Sequence, residues 1–439
     1  MSQETKRVVI VGGGFAGFYA ARELDKHVGP DLTVTLISET NFLLFTPMLH
    51  EIAASDLEPS DIIVSLNRVL PRVKVLAGRA TSLDINRRIL QATHGPQNHS
   101  HEIPYDYLIL APGSISNFFN LPGIEENCIT MKVLEDSFYL RNHMVEQLEA
   151  ANFDSDGAGS CGLTFVVCGG GFAGVETIGA MTDFLREAAG QYAEMQDRKI
   201  RTVLIHGGDK LLPELGGNLG DYAQKKLTER GVEVLINSRV TAFRNGAVVY
   251  KDAQGEHEIK TGTLVWTAGV RTAPLIEPLD LKKEKSRLLT NATLDLPDHP
   301  EIFAIGDCAA IPHPEKPGQF YGPTAQNALR QGTTAGKNVL ARLQGRALKP
   351  FHFHEQGQLA AIGQRVGVAN VLGVKFSGFF AWFLWRTVYL WKLPTISKKL
   401  RVLTNWTFDL FLAKDTVHFN MPRVPQMDRP RVQEARTQL

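Results

Sequence analysis

Two glycine-rich segments with the same residues could each bind a diphosphate. They are Gly12-Gly13-Gly14-Phe15-Ala16-Gly17 and Gly169-Gly170-Gly171-Phe172-Ala173-Gly174, and each follows a short apolar run. In the first, Gly12 permits a tight turn, Gly14 lets the backbone approach a pyrophosphate, and Gly17 lets a helix pack closely on a strand. Amides at the start of that helix supply donors and positive potential. Two such segments predict two dinucleotides, for which FAD and NAD(P)H are the natural pair. The alternative is one active site and one decayed duplicate.

The residue that ends the second strand of each unit would meet an adenosine ribose. Glu39 lies 22 residues after Gly17, and its carboxylate can accept hydrogen bonds from both ribose hydroxyls. His206 lies 32 residues after Gly174, and a neutral imidazole can accept only one. An imidazole does not repel a 2′-phosphate and attracts one when protonated. We therefore predict weaker rejection of NADPH than a glutamate would give. The alternative is that His206 merely caps the strand in solvent.

Alternating strands and helices must position these residues. A helix is predicted from the first glycine segment to about Asp25. The predicted strands are Arg7–Val11, Thr33–Ile37, Leu163–Cys168 and Thr202–His206. Two β-α-β units predict an α/β fold with two Rossmann-like dinucleotide-binding domains on parallel sheets. The Asp-, Gly- and Ser-rich stretch Ala150–Ser160 predicts a linker between them.

Composition excludes several functions. The formal charge of +1 over 439 residues argues against nucleic-acid binding, which needs a basic excess on one face. The four cysteines form no Cys-x-x-Cys pair and no cluster has ligand spacing, so no dithiol relay and no metal site is expected. Free thiols fit a reducing compartment. The chain starts without an apolar leader, so we expect a cytoplasmic protein or one on the cytoplasmic face of a membrane.

Five further segments are similar to those of a known family. They are Asn41–Pro47, Tyr105–Ser114 (with Pro112 where threonine is usual), Thr267–Val270, Glu301–Cys308 and Pro323–Gln331. With the glycine segments they make the chain, from about Arg7 to Leu412, resemble a type II NADH dehydrogenase. The resemblance implies hydride transfer from NADH to FAD and electron transfer to a membrane quinone, without proton pumping.

The resemblance also implies individual site residues. The counterpart of Asp307 accepts hydrogen bonds from the ribityl chain of the flavin. Gln326 matches the first of two family glutamines beside the quinone headgroup, whereas Arg330 departs from the second. Arg330 could donate to a quinone oxygen, or it could mark a different electron acceptor. The other residues that the resemblance assigns to the two cofactors are Pro47, Ala111, Gly113, Gly306, Ala325, Ala268 and Gly269.

Two more residues have open alternatives. Glu176 matches a family glutamate near the junction of flavin, nicotinamide and quinone, where it would relay a proton or hold the nicotinamide amide. The alternative is an acid placed favourably in the first turn of a helix. Lys375 is placed like a family lysine near the quinone, but solvation at the surface explains it equally well.

The segment near the C-terminus predicts helices lying on a membrane surface. Four of the five tryptophans fall in Phe376–Leu412, and six basic residues but no acidic one lie between Val371 and Phe408. Pro394 separates two predicted helices, around Gly378–Trp391 and Ile396–Leu412. Basic residues interleaved with apolar ones are typical of interfacial helices, with tryptophan at headgroup depth. The alternative is a dimerisation arm, and both can hold because family members are usually homodimers.

These assignments divide the chain into five parts. We predict an FAD-binding domain from residues 1–118 and 273–370, and an NAD(P)H-binding domain with connecting segments at 119–272. An amphipathic segment at 371–415 and a polar tail at 416–439 follow.

Three other functions remain open. A soluble NAD(P)H-dependent reductase, of the ferredoxin-reductase type, would use a protein acceptor. A sulfide:quinone reductase would need cysteines flanking the flavin, including a late one, and no cysteine follows Cys308. A redox-sensing flavoprotein would bind NADH and signal through its dimer state.

Overall fold

The structure, a computed structural model, describes residues 5–153, 162–195, 198–216, 218–409, 411, 412, 414 and 416–419. Its strands are β1 (Lys6–Val11), β2 (Leu32–Ser38), β3 (Phe42–Leu44), β4 (Ile63–Ser65), β5 (Lys74–Ala77), β6 (Arg79–Asp84), β7 (Ile89–His94), β8 (His99–Pro104), β9 (Tyr107–Leu110), β10 (Ser114–Ser116), β11 (Cys128–Thr130), β12 (Thr164–Cys168), β13 (Arg201–Ile205), β14 (Val232–Leu235), β15 (Arg239–Arg244), β16 (Ala247–Asp252), β17 (Gly255–Lys260), β18 (Thr263–Trp266), β19 (Val270–Thr272), β20 (Lys283–Glu284), β21 (Arg287–Leu289), β22 (Ile302–Ala304), β23 (Ala309–Ala310), β24 (Gly357–Ala361), β25 (Gly367–Val371) and β26 (Val374–Gly378). Its α-helices are α1 (Phe15–Asp25), α2 (Leu49–Ala53), α3 (Leu66–Val69), α4 (Ile124–Asn127), α5 (Leu134–Phe153), α6 (Phe172–Ala189), α7 (Leu219–Glu229), α8 (Ala325–Leu343), α9 (Phe379–Lys392) and α10 (Ile396–Phe408).

The chain forms two compact units. Unit 1 consists of Met1–Leu44, Ile63–Ser116 and Val270–Gln356. Its central sheet has the strand order β22-β9-β1-β2-β5, and every pair is parallel. The last four residues of β1 are buried, as expected for a parallel strand covered on both faces. Helices α1 and α8 approach so closely that a Cβ on Gly332 would lie 2.1 Å from the Ala16 carbonyl oxygen.

Unit 2 consists of Phe45–Ile62, Asn117–Gly269 and Gly357–Leu439. Its five-stranded sheet, in the order β11-β18-β12-β13-β14, is also parallel throughout. All five residues of β12 are buried. The antiparallel meander β24-β25-β26 leads into α9 and α10. A Cβ on Gly179 of α6 would lie 2.7 Å from the backbone of Ile362, so the end of β24 packs directly on this helix.

The predicted fold class is confirmed, and the predicted strand limits differ from the observed ones by about one residue. The linker prediction is partly wrong: α5 continues to Phe153, so residues 150–153 are helical, and residues 154–160 lie outside the described residues. The two predicted C-terminal helices are present, and most of the polar tail, residues 420–439, also lies outside the described part. No helix within the described residues is both long enough and apolar enough to cross a membrane.

Candidate functional site

The first glycine segment forms a shallow cradle at the N-terminus of α1. Gly12 has φ +100°, and a Cβ there would lie 2.1 Å from the Ala111 carbonyl oxygen. A Cβ on Gly17 would lie 1.8 Å from the Gly12 oxygen. Only glycine fits at these two places. Gly14, the N-cap residue, has no atom of the described residues within 4 Å of an added Cβ and no side-chain cap among them. The cradle therefore leaves room and amide donors for a diphosphate.

Three adjacent parallel strands bring other predicted residues to this edge of the unit 1 sheet. Strand β1 ends at the cradle, β9 is followed by Ala111 and Gly113, and β22 is followed by Gly306 and Asp307. Ligands of open α/β sheets bind outside the carboxyl ends of strands. The Ser114 hydroxyl donates to Asp307 at 2.5 Å, which orients the carboxylate and leaves acceptor capacity for a polyol.

Glu39 follows β2 directly, and its side chain is 61% exposed. Both carboxylate oxygens accept hydrogen bonds from Arg79, at 3.0 and 3.1 Å. Arg79 could not be predicted from the sequence, because only the pairing of β2 with β5 and the return through β6 bring it there. Arg79 fixes the orientation of the carboxylate that would meet the ribose.

Helix α8 places Gln326 and Arg330 one turn apart. Its N-cap Thr324 accepts a hydrogen bond from the Asn327 amide, and Ala325 is its first residue. Arg330 donates to the Gln326 carbonyl at 3.1 Å and to Gln356 Oε1 at 3.2 Å. Burial lowers the pKa of Arg330, which nevertheless stays a cation. Pro47, predicted to contact FAD, belongs to unit 2.

The second glycine segment repeats the cradle in unit 2. Gly169 has φ +119°, and a Cβ there would lie 2.5 Å from Thr267 Oγ1. A Cβ on Gly174 would lie 1.7 Å from the Gly169 oxygen. Gly171 is the N-cap of α6, and an added Cβ would meet none of the described atoms within 4 Å. Ala268 and Gly269 follow β18, next to β12 in the same sheet.

His206 takes part in the second cradle itself. The Gly170 amide donates to His206 Nδ1 at 3.1 Å, so this nitrogen must be unprotonated. Burial lowers the pKa of His206, which favours the same neutral state. The ring is partly buried and accepts a hydrogen bond from the cradle loop, so it has a structural contact besides its place at the end of the strand. In this arrangement Nδ1 supports the loop, and the predicted ribose contact through His206 stays a prediction.

Glu176 lies in the second turn of α6 and is buried, so its placement as a first-turn acid is wrong. Its Oε1 accepts hydrogen bonds from the Trp385 indole at 3.1 Å and from the Ala361 amide at 3.3 Å. Burial raises the pKa of Glu176 to about 8, although both hydrogen bonds oppose the shift. A carboxyl group with that pKa can both give and take a proton near neutral pH.

A polar cavity adjoins Glu176 within unit 2. The cavity has a volume of about 20 Å³, enough for about one water molecule. The lining includes His50, Glu51 and Asp56. His50 Nδ1 lies 3.9 Å from Glu176 Oε2, and its Nε2 lies 3.9 Å from Glu51 Oε1. Burial lowers the pKa of His50 to about 4, so its ring is neutral. These lining residues were not predicted from the sequence.

In the amphipathic segment, residues 371–415, several aromatic side chains predicted to face the membrane surface instead face the protein interior. Trp382, Trp385 and Trp406 are buried, and the guanidinium of Arg386 lies 4.3 and 4.6 Å from the ring centroids of Trp382 and Trp406. The expectation of tryptophans at headgroup depth is therefore wrong for these three. The exposed apolar side chains of the two helices are Phe379, Phe380, Phe383, Trp391, Ile396, Leu400, Leu403 and Phe408. Lys375 is exposed on β26.

The chain matches the family model described as pyridine nucleotide-disulphide oxidoreductase over residues 6–332, as the two cradles indicate. It also matches the NDH2 C-terminal domain over residues 355–415. Among curated proteins it is 32% identical to a type II NADH:quinone oxidoreductase of Mycobacterium tuberculosis, over 91% of this chain and 86% of that one. A type II NADH:quinone oxidoreductase of Staphylococcus haemolyticus is 29% identical, over 88% and 95%. The chain thus belongs to the type II NADH:quinone oxidoreductase family.

A solved structure has the same fold. NDH2 from Plasmodium falciparum, in complex with NADH, matches with a TM-score of 0.85 at 20% identity, over 94% of this chain and all of that one.

Proposed function

We propose that the protein oxidises NADH with a bound FAD and passes the electrons to a membrane quinone in a respiratory chain, without pumping protons. The family membership carries this proposal, and the two matching cradles support it. When bound, FAD accepts a hydride from NADH and yields two electrons to the acceptor. The residues of the chain would bind the two cofactors, orient them and tune the reactivity of the flavin.

Unit 1 would hold FAD, within the predicted domain of residues 1–118 and 273–370. The diphosphate would lie on the amides at Gly14, Phe15 and Ala16, and Glu39 would accept the ribose hydroxyls. Asp307 would accept from the ribityl chain. The open side of Gly14 is the observation that fits this group, because an added Cβ would fill the cradle. Gly12, Gly17, Ala111, Gly113 and Gly306 would shape it, and Ala325 and Gln326 at the start of α8 would add positive potential.

Unit 2 would hold the nicotinamide cofactor, within the predicted domain of residues 119–272. The diphosphate would lie at Gly171, Phe172 and Ala173, with Ala268 and Gly269 beside it. We keep NADH as the main substrate and NADPH as a weaker one, because no carboxylate follows β13 at His206.

Glu176 would act as an acid/base group for the reaction. Its raised pKa and its buried hydrogen bonds support this role. The imidazole of His50 lies beside it as a neighbouring titratable group. Gln326 and Arg330 would contact the quinone, and Lys375 would approach its headgroup. Arg330 is also the observation that favours a second candidate, a soluble reductase with another acceptor, because it replaces a family glutamine.

The cysteines give little support to sulfide oxidation. Cys128, Cys168 and Cys308 are buried free thiols, whereas Cys161 lies outside the described residues. Burial raises the pKa of Cys168 and brings that of Cys308 to about 12. A thiol that stays protonated is a poor nucleophile for sulfur.

We place the protein on the cytoplasmic face of the membrane, as a homodimer attached through α9 and α10 in the predicted segment 371–415. The exposed apolar side chains on both helices support attachment, since each would bury apolar area in the interface. The lysines of the same helices and Arg401 would add attraction to anionic lipid.

The acceptor is tested by turnover of NADH with a short-chain quinone, ferricyanide or a cytochrome. We expect the quinone to be the best acceptor. Faster turnover with a cytochrome, and slow turnover with every quinone, would favour the soluble reductase.

The attachment is tested by sedimentation with anionic vesicles. We expect Phe383→Asp with Leu400→Asp to weaken binding at least about tenfold, since each buried apolar side chain contributes ~1.5–3 kcal/mol. Phe153→Asp, on a still more exposed phenylalanine at the end of α5, is the control and should bind normally. If the double variant sedimented with vesicles as before but no longer formed a dimer in ultracentrifugation, the exposed apolar side chains of α9 and α10 would serve dimerisation and not membrane attachment.

A further inference from the structure

Three metal-ligating side chains that do not belong to the cradle meet on the surface of unit 1. Glu315 lies in a turn, and His352 and His354 lie 37 and 39 residues later on a segment without regular secondary structure. The Nε2 atoms of both histidines lie 3.3 Å from the same oxygen, Oε1 of Glu315. All three ligand atoms lie within 4.8 Å of one another. His-x-His alone is a weak pattern, and only the fold supplies the carboxylate.

We propose that Glu315, His352 and His354 form a binding site for a divalent transition metal ion of the Zn²⁺ class. Bonds of ~2.0–2.1 Å to nitrogen and oxygen at the tetrahedral angle place neighbouring ligand atoms about 3.4 Å apart. The two distances from Glu315 Oε1 to the histidine Nε2 atoms, both 3.3 Å, already match this value. The distance between the two histidine nitrogens is within 4.8 Å and can reach it by rotation of these exposed side chains. Two imidazoles with one carboxylate suit Zn²⁺, whereas Mg²⁺ and Ca²⁺ prefer oxygen ligands.

The segment that carries the histidines alternates between core and solvent. Phe351 is buried and Phe353 partly buried, while His352 and His354 between and beyond them are exposed. Because burial alternates along these four residues, both imidazoles lie on the solvent-facing side of the segment. Their ring centroids are 4.7 Å apart. The two ligands from this segment therefore need no rearrangement of the backbone.

Contacts between the segment and the turn keep the third ligand in place. The Glu315 amide donates to His313 Nδ1 at 3.2 Å, and the His313 ring stacks on Tyr321 at 4.7 Å. The hydroxyl of Tyr321, a buried residue, accepts from the Phe353 amide at 3.2 Å. Through Tyr321 the turn and the segment form one small framework, which lowers the ordering cost of binding an ion.

The site is open to solvent. The side chains of Glu315, His352 and His354 are 50%, 51% and 68% exposed, so an ion can enter and water can complete the coordination. The ring of Phe353, between the two histidines, lies 3.9 Å from the guanidinium carbon of Arg330. A bound ion would therefore stiffen the segment that packs on Arg330.

The site is tested by calorimetric titration of the flavin-loaded protein with Zn²⁺. We expect one site in the unaltered protein and none in the His352→Ala, His354→Ala variant. Glu315→Gln should bind Zn²⁺ at least about tenfold more weakly, because even partners outside the ligand shell contribute that much to affinity. His94 and His101, whose rings stack at 4.9 Å on the β7-β8 hairpin, form a second histidine pair. His94→Ala with His101→Ala is the matched control and should bind Zn²⁺ like the unaltered protein.

Two further measurements keep the test independent of electron transfer. Electron paramagnetic resonance of bound Cu²⁺ should show coupling to imidazole nitrogens that the His352→Ala, His354→Ala variant lacks. Hydrogen exchange at residues 351–356 should slow when Zn²⁺ is added. Equal affinity and stoichiometry in the unaltered protein and this variant, or loss of binding only in the His94→Ala, His101→Ala variant, would overturn the proposal. Failure of NADH oxidation would leave this result unaffected.

Discussion

The two cradles share six residues and differ in what surrounds them. Each places an open N-cap glycine at a long helix, with two neighbouring glycines that no other residue could replace. At the ribose end the first has Glu39, exposed and oriented by Arg79, whereas the second has His206, whose ring supports its own loop. Five residues into the motif helix, the first has Tyr19 and the second the buried Glu176. The shared part specifies where a diphosphate binds, and the differing part specifies which cofactor it is and what chemistry follows.

The strongest test of this comparison replaces the open glycines. Gly14→Val should keep the fold but lower flavin affinity at least about 100-fold, a loss of about 2.7 kcal/mol. Gly171→Val should keep the flavin and raise the KM for NADH by a similar factor. Neither glycine has positive φ, and no atom of the described part of the chain lies within 4 Å of an added Cβ, so stability is spared. Flavin content and steady-state kinetics measure both effects.

Gly29→Val is the control for these variants, because Gly29 is also open and exposed. It should alter neither property. If Gly171→Val instead lost its flavin, or Gly14→Val kept it, the assignment of the two cradles would be reversed or wrong.

The second test addresses Glu176. The folded pKa of about 8 lies above the usual glutamate value of 4.5, so the folded state holds a proton that the unfolded state has lost. This group should lower stability as pH rises, by up to ~1.4 kcal/mol per pH unit between about 6.5 and 8. Glu176→Gln should reduce that slope and also flatten the pH profile of turnover in the same range. Denaturant unfolding and kcat at several pH values measure both.

Two features keep this test specific. His50, with a pKa lowered to about 4, titrates below this window, where its effect on stability has the opposite sign. Glu146→Gln changes an exposed carboxylate on α5 and should keep the slope of the unaltered protein. A Glu176→Gln variant with the same slope as the control would contradict the buried, protonated state.

The third test gives the second cradle the same type of residue, a glutamate, that the first cradle has where the ribose is expected to bind. His206→Glu adds the missing acceptor and a negative charge, so the ratio of kcat/KM for NADH to that for NADPH should rise about tenfold. Asn245→Asp, in the exposed turn after β15, adds a similar charge elsewhere and should leave the ratio unchanged. A preference for NADH above a thousandfold in the unaltered protein would defeat the idea that His206 tolerates a 2′-phosphate.

The smallest expected effect concerns Arg79. Its pair with Glu39 is solvent-exposed, so Arg79→Ala should change stability by less than about 1 kcal/mol. Flavin affinity should fall about threefold, with Arg79→Lys intermediate because lysine lacks the bidentate geometry. Equilibrium dialysis of the apoprotein with FAD measures the affinity. If Arg79→Ala bound FAD with unchanged affinity, the ion pair between Arg79 and Glu39 would have no role in binding the flavin.

The sequence predicted the features that local patterns encode. Apolar runs and glycine spacing were enough for the parallel strands beside both cradles, because each depends on neighbouring residues along the chain. Arg79, His50 and Glu315 could not be predicted, since each meets its partners only after distant strands and turns have packed. The inward tryptophans of α9 and α10 were misjudged for a related reason. Aromatic composition is the same for a helix that faces lipid and one that faces the protein core, and only packing separates the two.

The central claim is that unit 1 holds a flavin that NADH bound to unit 2 can reduce. Anaerobic stopped-flow mixing with NADH, followed by mixing with a quinone, tests it most directly. We predict that the yellow flavin bleaches with NADH and regains its colour with the quinone, and that Gly171→Val stays yellow at the same NADH concentration. Purified protein that is colourless and takes up no FAD, or a bound flavin that NADH leaves oxidised, would contradict the claim.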